Sequence, residues 1–311
     1  MNMEKANNIN ITNQSLDDGV TPKAEHLELL MDLEKKAQAG EQFTKDALVF
    51  LYEIDSPARV PVIDEKFGYI PFFGYDHERI SKILSARNPE QDMPIVFECS
   101  PEQIAHNPEQ IGKNTKAYVG PLEEGIFSLI KQHNVEYIYS SFPEGKIKQY
   151  NISVGGKEKA QIIKELEEKN IDFSRSTKDL LESNDFTTLK EAEQVHLVRL
   201  KVKDLGFTDN NVHMDHIYQK AQELGLELCE AEVAPNLSMQ YPGKEEMRIA
   251  MNPINDPDGY PATMIVGRKA FYGDRVQFDA KRALTYDEVK YFDLDNDFVF
   301  SLSKQNEKTG A

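Results

Sequence analysis

Basic clusters, paired cysteines and long apolar runs are all scarce in this sequence. Its 311 residues carry 36 Lys+Arg against 53 Asp+Glu, a formal net charge of −17, and no run of basic residues exceeds two. Sequence-independent binding to DNA or RNA needs a basic footprint, so nucleic acid is excluded as the expected partner. The same acidity is repelled by anionic membrane surfaces. Cys99 and Cys229 are the two cysteines. They cannot form a disulfide framework and lack metal-ligand spacing, which leads to the expectation of a reducing, cytoplasmic setting. No apolar run approaches the roughly 18 residues that span a bilayer, and residues 1–20 lack the pattern of a signal peptide. Dinucleotide-binding, phosphate-loop, zinc-protease and serine-hydrolase motifs are missing, so no cofactor and no metal is expected.

What is present is enough for packed cores, since 40% of the residues are hydrophobic. Residues 1–22 are polar and patternless and read as a disordered tail. A helix is expected from Pro22, with Leu29, Leu30, Leu33 and Ala37 on one face and Gly40 as its stop. A second begins at Thr44, which suits an N-cap, with Phe43 stapled onto Leu48. Residues 56–76 read as an aromatic-rich loop, and His77–Ala86 as a third helix with Ile80, Ile83 and Leu84 inward.

The stretch 94–146 organises the first half. Ile95–Phe97, Ala117–Val119 and Val135–Tyr139 are short, β-branched or aromatic, and bounded by turn residues, which predicts three strands. A helix over Pro121–His133 between the last two predicts a βαβ element. Three echoes, at Asn88-Pro89-Glu90-Gln91, Ser100-Pro101-Glu102-Gln103 and Asn107-Pro108-Glu109-Gln110, each fit a capped helix start. Residues 146–154 then alternate as a strand, and 157–169 form a charged helix with a narrow apolar face at Ala160, Ile163 and Leu166.

The second half reads as a strand at 195–203, a helix over Asn211–Leu224, and further strands at 226–229, 247–251, 262–266, 275–278 and 298–302, with Asn255–Gly259 as a hairpin turn. The expected fold is α+β. A mixed α/β domain (23–170) precedes a linker with a short helix (171–194), a mainly antiparallel-sheet domain with one principal helix (195–304) and a disordered tail (305–311).

Candidate chemistry concentrates at the expected strand ends. If Ile95–Phe97 runs parallel to Val135–Tyr139, then Cys99, Ser100, Ser140, Ser141, Glu144 and Lys146 converge on one sheet edge, where open α/β sheets bind ligands. Cys99 precedes a helix start, with His106 and His133 as candidate bases, but Glu98 beside it raises the thiol pKa. His213 and His216 stand one helical turn apart without a third ligand at metal-site spacing. Asp293–Asp297 opens like a calcium loop, but Phe298 and Lys304 stand where glycine and glutamate are required. Cys229–Glu232 with Arg248 offers a carboxylate pocket that no spacing rule marks out.

Phe50–Ile54, the run from Arg87 to Phe97, Thr115–Gly120, Ser141–Lys146, Glu223–Cys229 and Ala231–Val233 resemble a family of uncharacterised bacterial proteins, from Phe43 onward. The resemblance implies a two-part architecture and a cytoplasmic protein of bacterial type, and carries no activity. Two functions fit these residues. The first is a non-catalytic binding or regulatory module for a protein partner with a basic surface. The alternative is an enzyme or small-polar-ligand binder using the strand ends around residues 98–146.

Overall fold

The computed structural model describes residues 24–54, 63–64, 68–69, 77–241, 245–256, 258–267, 277–282 and 291–302. Most of the expected aromatic loop 56–76 and both expected tails lie outside these residues. The fold is α+β, with helices and mixed parallel and antiparallel sheets. No helix among the described residues is long and apolar enough to cross a membrane.

The chain forms two compact units, Met1–Pro101 with Phe142–Glu144, and Glu102–Ser141 with Gly145–Ala311. The first is helical: α1 (Ala24–Gln38), α2 (Lys45–Leu51), α3 (His77–Ser85) and α4 (Pro89–Phe97), with a two-strand ribbon of β1 (Ile63–Asp64) and β2 (Gly68–Tyr69). The Thr44 side chain accepts from the Ala47 amide at 3.2 Å, so α2 starts at its expected cap. Leu30, Leu33, Leu48, Ile80 and Ile83 are buried. Tyr52 donates to buried Asp92 at 2.8 Å, and Arg87 holds the same carboxylate through two nitrogens, at 2.7 and 3.0 Å. Phe142 packs edge-on against Tyr52 and Phe97.

The expected strand Ile95–Phe97 is the last turn of α4. Asn88 accepts from the Glu90 amide, Pro89 occupies the first helical position, and Glu98 closes the helix in a left-handed conformation at φ 55°. A short apolar run does not itself distinguish strand from helix, and here the cap decides. The other two echoes begin single 3-10 turns, Pro101–Gln103 and Pro108–Gln110.

In the second unit, β3 (Ile104–Ala105), β4 (Ala117–Val119) and β5 (Tyr137–Tyr139) form a parallel three-stranded sheet, and α5 (Ile126–His133) crosses from β4 to β5. The expected βαβ element is therefore present, with β3 in the place given to residues 95–97. The chain continues through β6 (Lys148–Val154), α6 (Lys159–Glu168), β7 (Asp172–Phe173), α7 (Arg175–Glu182), β8 (Glu193–Lys201), β9 (Val212–His213), α8 (Met214–Glu223), β10 (Leu226–Glu227) and α9 (Val233–Gln240). It ends with β11 (Met247–Ile249), β12 (Ile254–Asn255), β13 (Pro261–Val266), β14 (Gln277–Arg282), β15 (Tyr291–Phe292) and β16 (Asp297–Leu302). Among the described residues the main sheet runs β6-β8-β16-β11-β13-β14-β7, with β10 added to β16 and β12 to β13.

Strand alternation sends two sets of side chains to opposite faces. Ile152, Val154, Leu197, Ile249 and Val299 pack with α6, α7 and α9. Val198, Leu200, Phe298 and Phe300 pack with α5, α8 and the three-stranded sheet. Because β6 pairs with β8 along its whole length, from Lys148↔Arg199 to Val154↔Glu193, the stretch 171–194 lies inside this unit rather than between domains. On α6 the inward residues are Ile162, Ile163 and Leu166, and Ala160 faces out. Helix α9 has no counterpart in the expected elements. Val233 to Met239 are all buried, so the amphipathic signal of a surface helix is missing.

Helix α9 also occupies the outer side of β6. The Glu232 carboxylate accepts from the amides of Gly155 and Leu189, at 3.1 and 3.0 Å. The Gln240 side-chain amide pairs with both backbone groups of Ser153, at 3.0 and 2.8 Å, and the Tyr241 hydroxyl donates to Asn151 O at 3.3 Å. Glu232 therefore serves the backbone rather than the carboxylate pocket expected with Arg248. The Arg248 guanidinium instead lies over the Phe292 ring, 4.9 Å from its centroid.

Arg199 is the most committed charge of the sheet. Its side chain is 9% exposed and grips Asp297 through two nitrogens, at 2.9 and 2.7 Å. It also bonds Glu245, which pairs with Lys148 at 2.9 Å. Burial pushes the Glu245 carboxyl up, but Arg199 and Lys148 outweigh it and hold the group down to about 2.

Candidate functional site

The six residues expected to converge do not belong to one compact unit. Cys99, Ser100 and Glu144 fall in the first, and Ser140, Ser141 and Lys146 in the second. The premise of that site, a strand at Ile95–Phe97, is replaced by helix. Cys99 is buried and its thiol donates to Phe97 O at 3.3 Å. His106, a candidate base, gives its Nδ1–H to Val119 O at 3.2 Å.

Residues 140–145 form the turn between β5 and the chain entering β6, closed by a bridge between Tyr139 and Lys146. The Ser140 amide donates to Gly145 O at 2.8 Å and the Gly145 amide to Ser141 O at 2.7 Å. The Ser140 hydroxyl reaches Gly145 O at 3.3 Å and Asp204 Oδ1 at 3.1 Å. A Cβ on Gly145 would stand 2.3 Å from Ser140 Oγ and 2.4 Å from the Ser141 nitrogen, so the turn closes because that position has no side chain. Burial raises the Asp204 carboxyl, and the Lys201 amide and Ser140 hydroxyl pull it partly back. The polar groups of Ser140 thus serve the fold.

A different loop keeps its polar groups outward. After the 3-10 turn Val202–Leu205, residues 206–211 (Gly-Phe-Thr-Asp-Asn-Asn) lead into β9 and line a cleft of about 530 Å³. Gly206 at φ 91° and Asn211 at φ 68° bend the loop through left-handed conformations that glycine and asparagine tolerate. Thr208, Asp209, Asn210 and Asn211 are exposed on its wall. The Asn210 side-chain oxygen also accepts from the Leu294 amide at 3.4 Å, which ties the loop to the segment before β16.

The chain matches no protein-family model, no curated protein and no solved structure. The functional reading therefore rests on the geometry of this cleft.

The same lining carries aromatic and imidazole rings. β15 pairs with β9 so that Tyr291 stands directly across from His213. Their rings are 5.9 Å apart at 80°, and His213 and His216 are 6.0 Å apart at 65°. His213 caps α8, its Nδ1 accepting from the Asp215 amide at 3.2 Å and lying 3.5 Å from the Asp215 carboxylate. Val212 and Phe292 anchor the ribbon from beneath, and Phe292 packs on Phe298 with centroids 4.9 Å apart. Among the described residues lining the cleft there is one carboxylate, Asp209, and no lysine or arginine. Lys203, just before the loop, pairs with Asp295 at 2.9 Å.

Among the described residues no group of three or more His, Cys, Asp or Glu is arranged to hold a metal ion. In the sequence His213 and His216 stand out only as a ligand pair, and Tyr291, Phe207 and the loop do not stand out. The available signal was the dense Thr-Asp-Asn-Asn beside two imidazoles, whereas the arrival of Tyr291 depends on a pairing remote in sequence. A second depression of about 500 Å³ beside β10 is lined by Gly225, Leu226 and Leu228, with no aromatic ring among its described lining residues.

Proposed function

We propose that the protein is a non-catalytic binding module, that its recognition site is the cleft between loop 206–211 and the rings of His213, His216 and Tyr291, and that it binds a protein partner through a basic segment. The observation that carries this reading is the lining. It combines hydroxyl, amide and carboxylate groups with aromatic and imidazole rings, and Asp209 is the carboxylate among the described lining residues. The chain's net charge of −17 draws a basic partner to the surface at long range and raises the encounter rate. Aromatic side chains at the rim supply contact area with little conformational entropy to lose.

The test uses the full chain and two defined peptides of equal length, one rich in lysine and arginine and one in which glutamate replaces them. Nuclear magnetic resonance should show saturable shifts confined to residues 206–216 and Tyr291 with the basic peptide alone. Shifts that spread over the acidic surface without saturating, or that centre elsewhere, would overturn the assignment. Added salt should weaken the encounter more than the seated contact.

A further inference from the structure

We infer that the corner between His213, His216 and Tyr291 seats a single organic cation, the ammonium or guanidinium head of a partner's lysine or arginine side chain. This rests on the cleft being the recognition site and names the group that enters it.

The rings of Tyr291 and His216 meet His213 at steep angles, with centroids 5.9 and 6.0 Å away. A cation placed in such a corner lies within about 6 Å of more than one centroid, the range over which a ring quadrupole attracts positive charge. The His213 ring lies between the other two, while its Nδ1 is turned to the amide and carboxylate of Asp215, at 3.2 and 3.5 Å. Tyr291 is 52% exposed, unusual for so large a ring, and its partner across the ribbon is an imidazole rather than an aliphatic side chain. Asp209 supplies a counter-charge in the same lining, and Asn211 and Thr208 add neutral acceptors. An anionic ligand would meet a carboxylate with no lysine or arginine among the described lining residues, and a purely apolar one would strip water from amides without replacing their bonds.

The test titrates the full chain with n-butylammonium and, separately, methylguanidinium, following the imidazole signals of His213 and His216. The neutral isosteres n-butanol and N-methylurea serve as controls. Both cations should shift the two imidazoles saturably and the isosteres should not, and the tighter of the two cations identifies the side chain preferred. Tyr291→Leu should weaken the cation about two- to five-fold, the scale of one exposed cation–π contact. Asp209→Asn should weaken it about five-fold, on the scale of a favourable surface ion pair. Equal binding of cation and isostere, or shifts that ignore both substitutions, would overturn the inference. If the basic peptide still saturates at the cleft while neither small cation does, the cation corner is wrong and the binding-module reading stands. If neither peptide nor cation reaches the cleft, both are wrong.

Discussion

The turn at 140–145 and the loop at 206–211 are each six residues long, each carries one phenylalanine, and each is otherwise polar, Gly or Pro. They have opposite fates. In the turn, Gly145 allows the backbone to fold onto Ser140 and Ser141, so amide, carbonyl and hydroxyl bond to one another and to Asp204. In the loop, left-handed residues at both ends hold the chain open, and Asn210 spends its side-chain oxygen on the Leu294 amide. The lesson concerns availability: a polar side chain offers chemistry to a ligand only after the local backbone has taken what it needs.

The comparison is broken most forcefully where inward use is most complete. Arg199→Ala leaves Asp297, itself largely buried, without its two-pronged partner, and should cost about 3–5 kcal/mol of unfolding free energy in urea titration. In the same variant the Glu245 carboxyl should rise from about 2 toward the ordinary glutamate range, visible in its carboxyl resonance. The sign for stability follows. A lowered carboxyl contributes above its unfolded value near 4.5 and loses that contribution as pH falls toward about 2, so the acid limb of the wild-type stability curve should flatten in Arg199→Ala.

Gly145→Ala is expected next, at about 1–3 kcal/mol, because its Cβ meets backbone that cannot yield as a side chain would. Ser140→Ala should cost about 1–2 kcal/mol by removing a donor from a partly buried carboxylate. Its pH dependence sharpens the point. The Asp204 carboxyl is already raised by burial, and without the hydroxyl it should titrate higher still. A raised carboxyl contributes fully at low pH and loses its contribution as pH rises through the folded value, so the deficit of Ser140→Ala should grow from acid to neutral pH. A constant deficit would show that Ser140 does not act on Asp204.

The smallest effects on stability belong to the loop. Asp209→Asn and Tyr291→Leu should each change unfolding free energy by no more than about 0.5 kcal/mol, as expected of exposed side chains, while both weaken cation binding. A loss of 2 kcal/mol or more on that scale would place them in the inward class with Ser140 and end the comparison.

Legibility from sequence follows the same division between local and remote. The caps at Thr44 and Asn88, the strand–helix–strand run from β4 to β5 and the hairpin turn at Asp256 are local, and their residue types announce them. Ile95–Phe97 misled because three apolar residues carry no period, and the decisive signal lay seven residues upstream of Ile95, at the Asn88 cap. Helix α9 was illegible because uniform burial erases the polar face that betrays a surface helix, and Pro235 inside it argues against one. The expected division after residue 170 overlooked that β6 pairs with β8, since strand pairing is a long-range choice that composition does not encode. The site suffered from the same limit. His213 and His216 share a helix turn and could be noticed, but their aromatic partner arrives from β15 only through the fold.

The outer side of β6 carries a consequence of its own. A strand at the end of a sheet is a template on which further chains add, one after another, into open-ended assemblies. Here the amide of Gly155, both backbone groups of Ser153 and the carbonyl of Asn151 are already taken by Glu232, Gln240 and Tyr241. Three side chains stand where a further strand's backbone would lie, and unlike a strand they offer nothing beyond themselves for the next one to join. Growth of the sheet in that direction stops after one imitation layer, so crowding and high concentration meet a terminated edge at these positions.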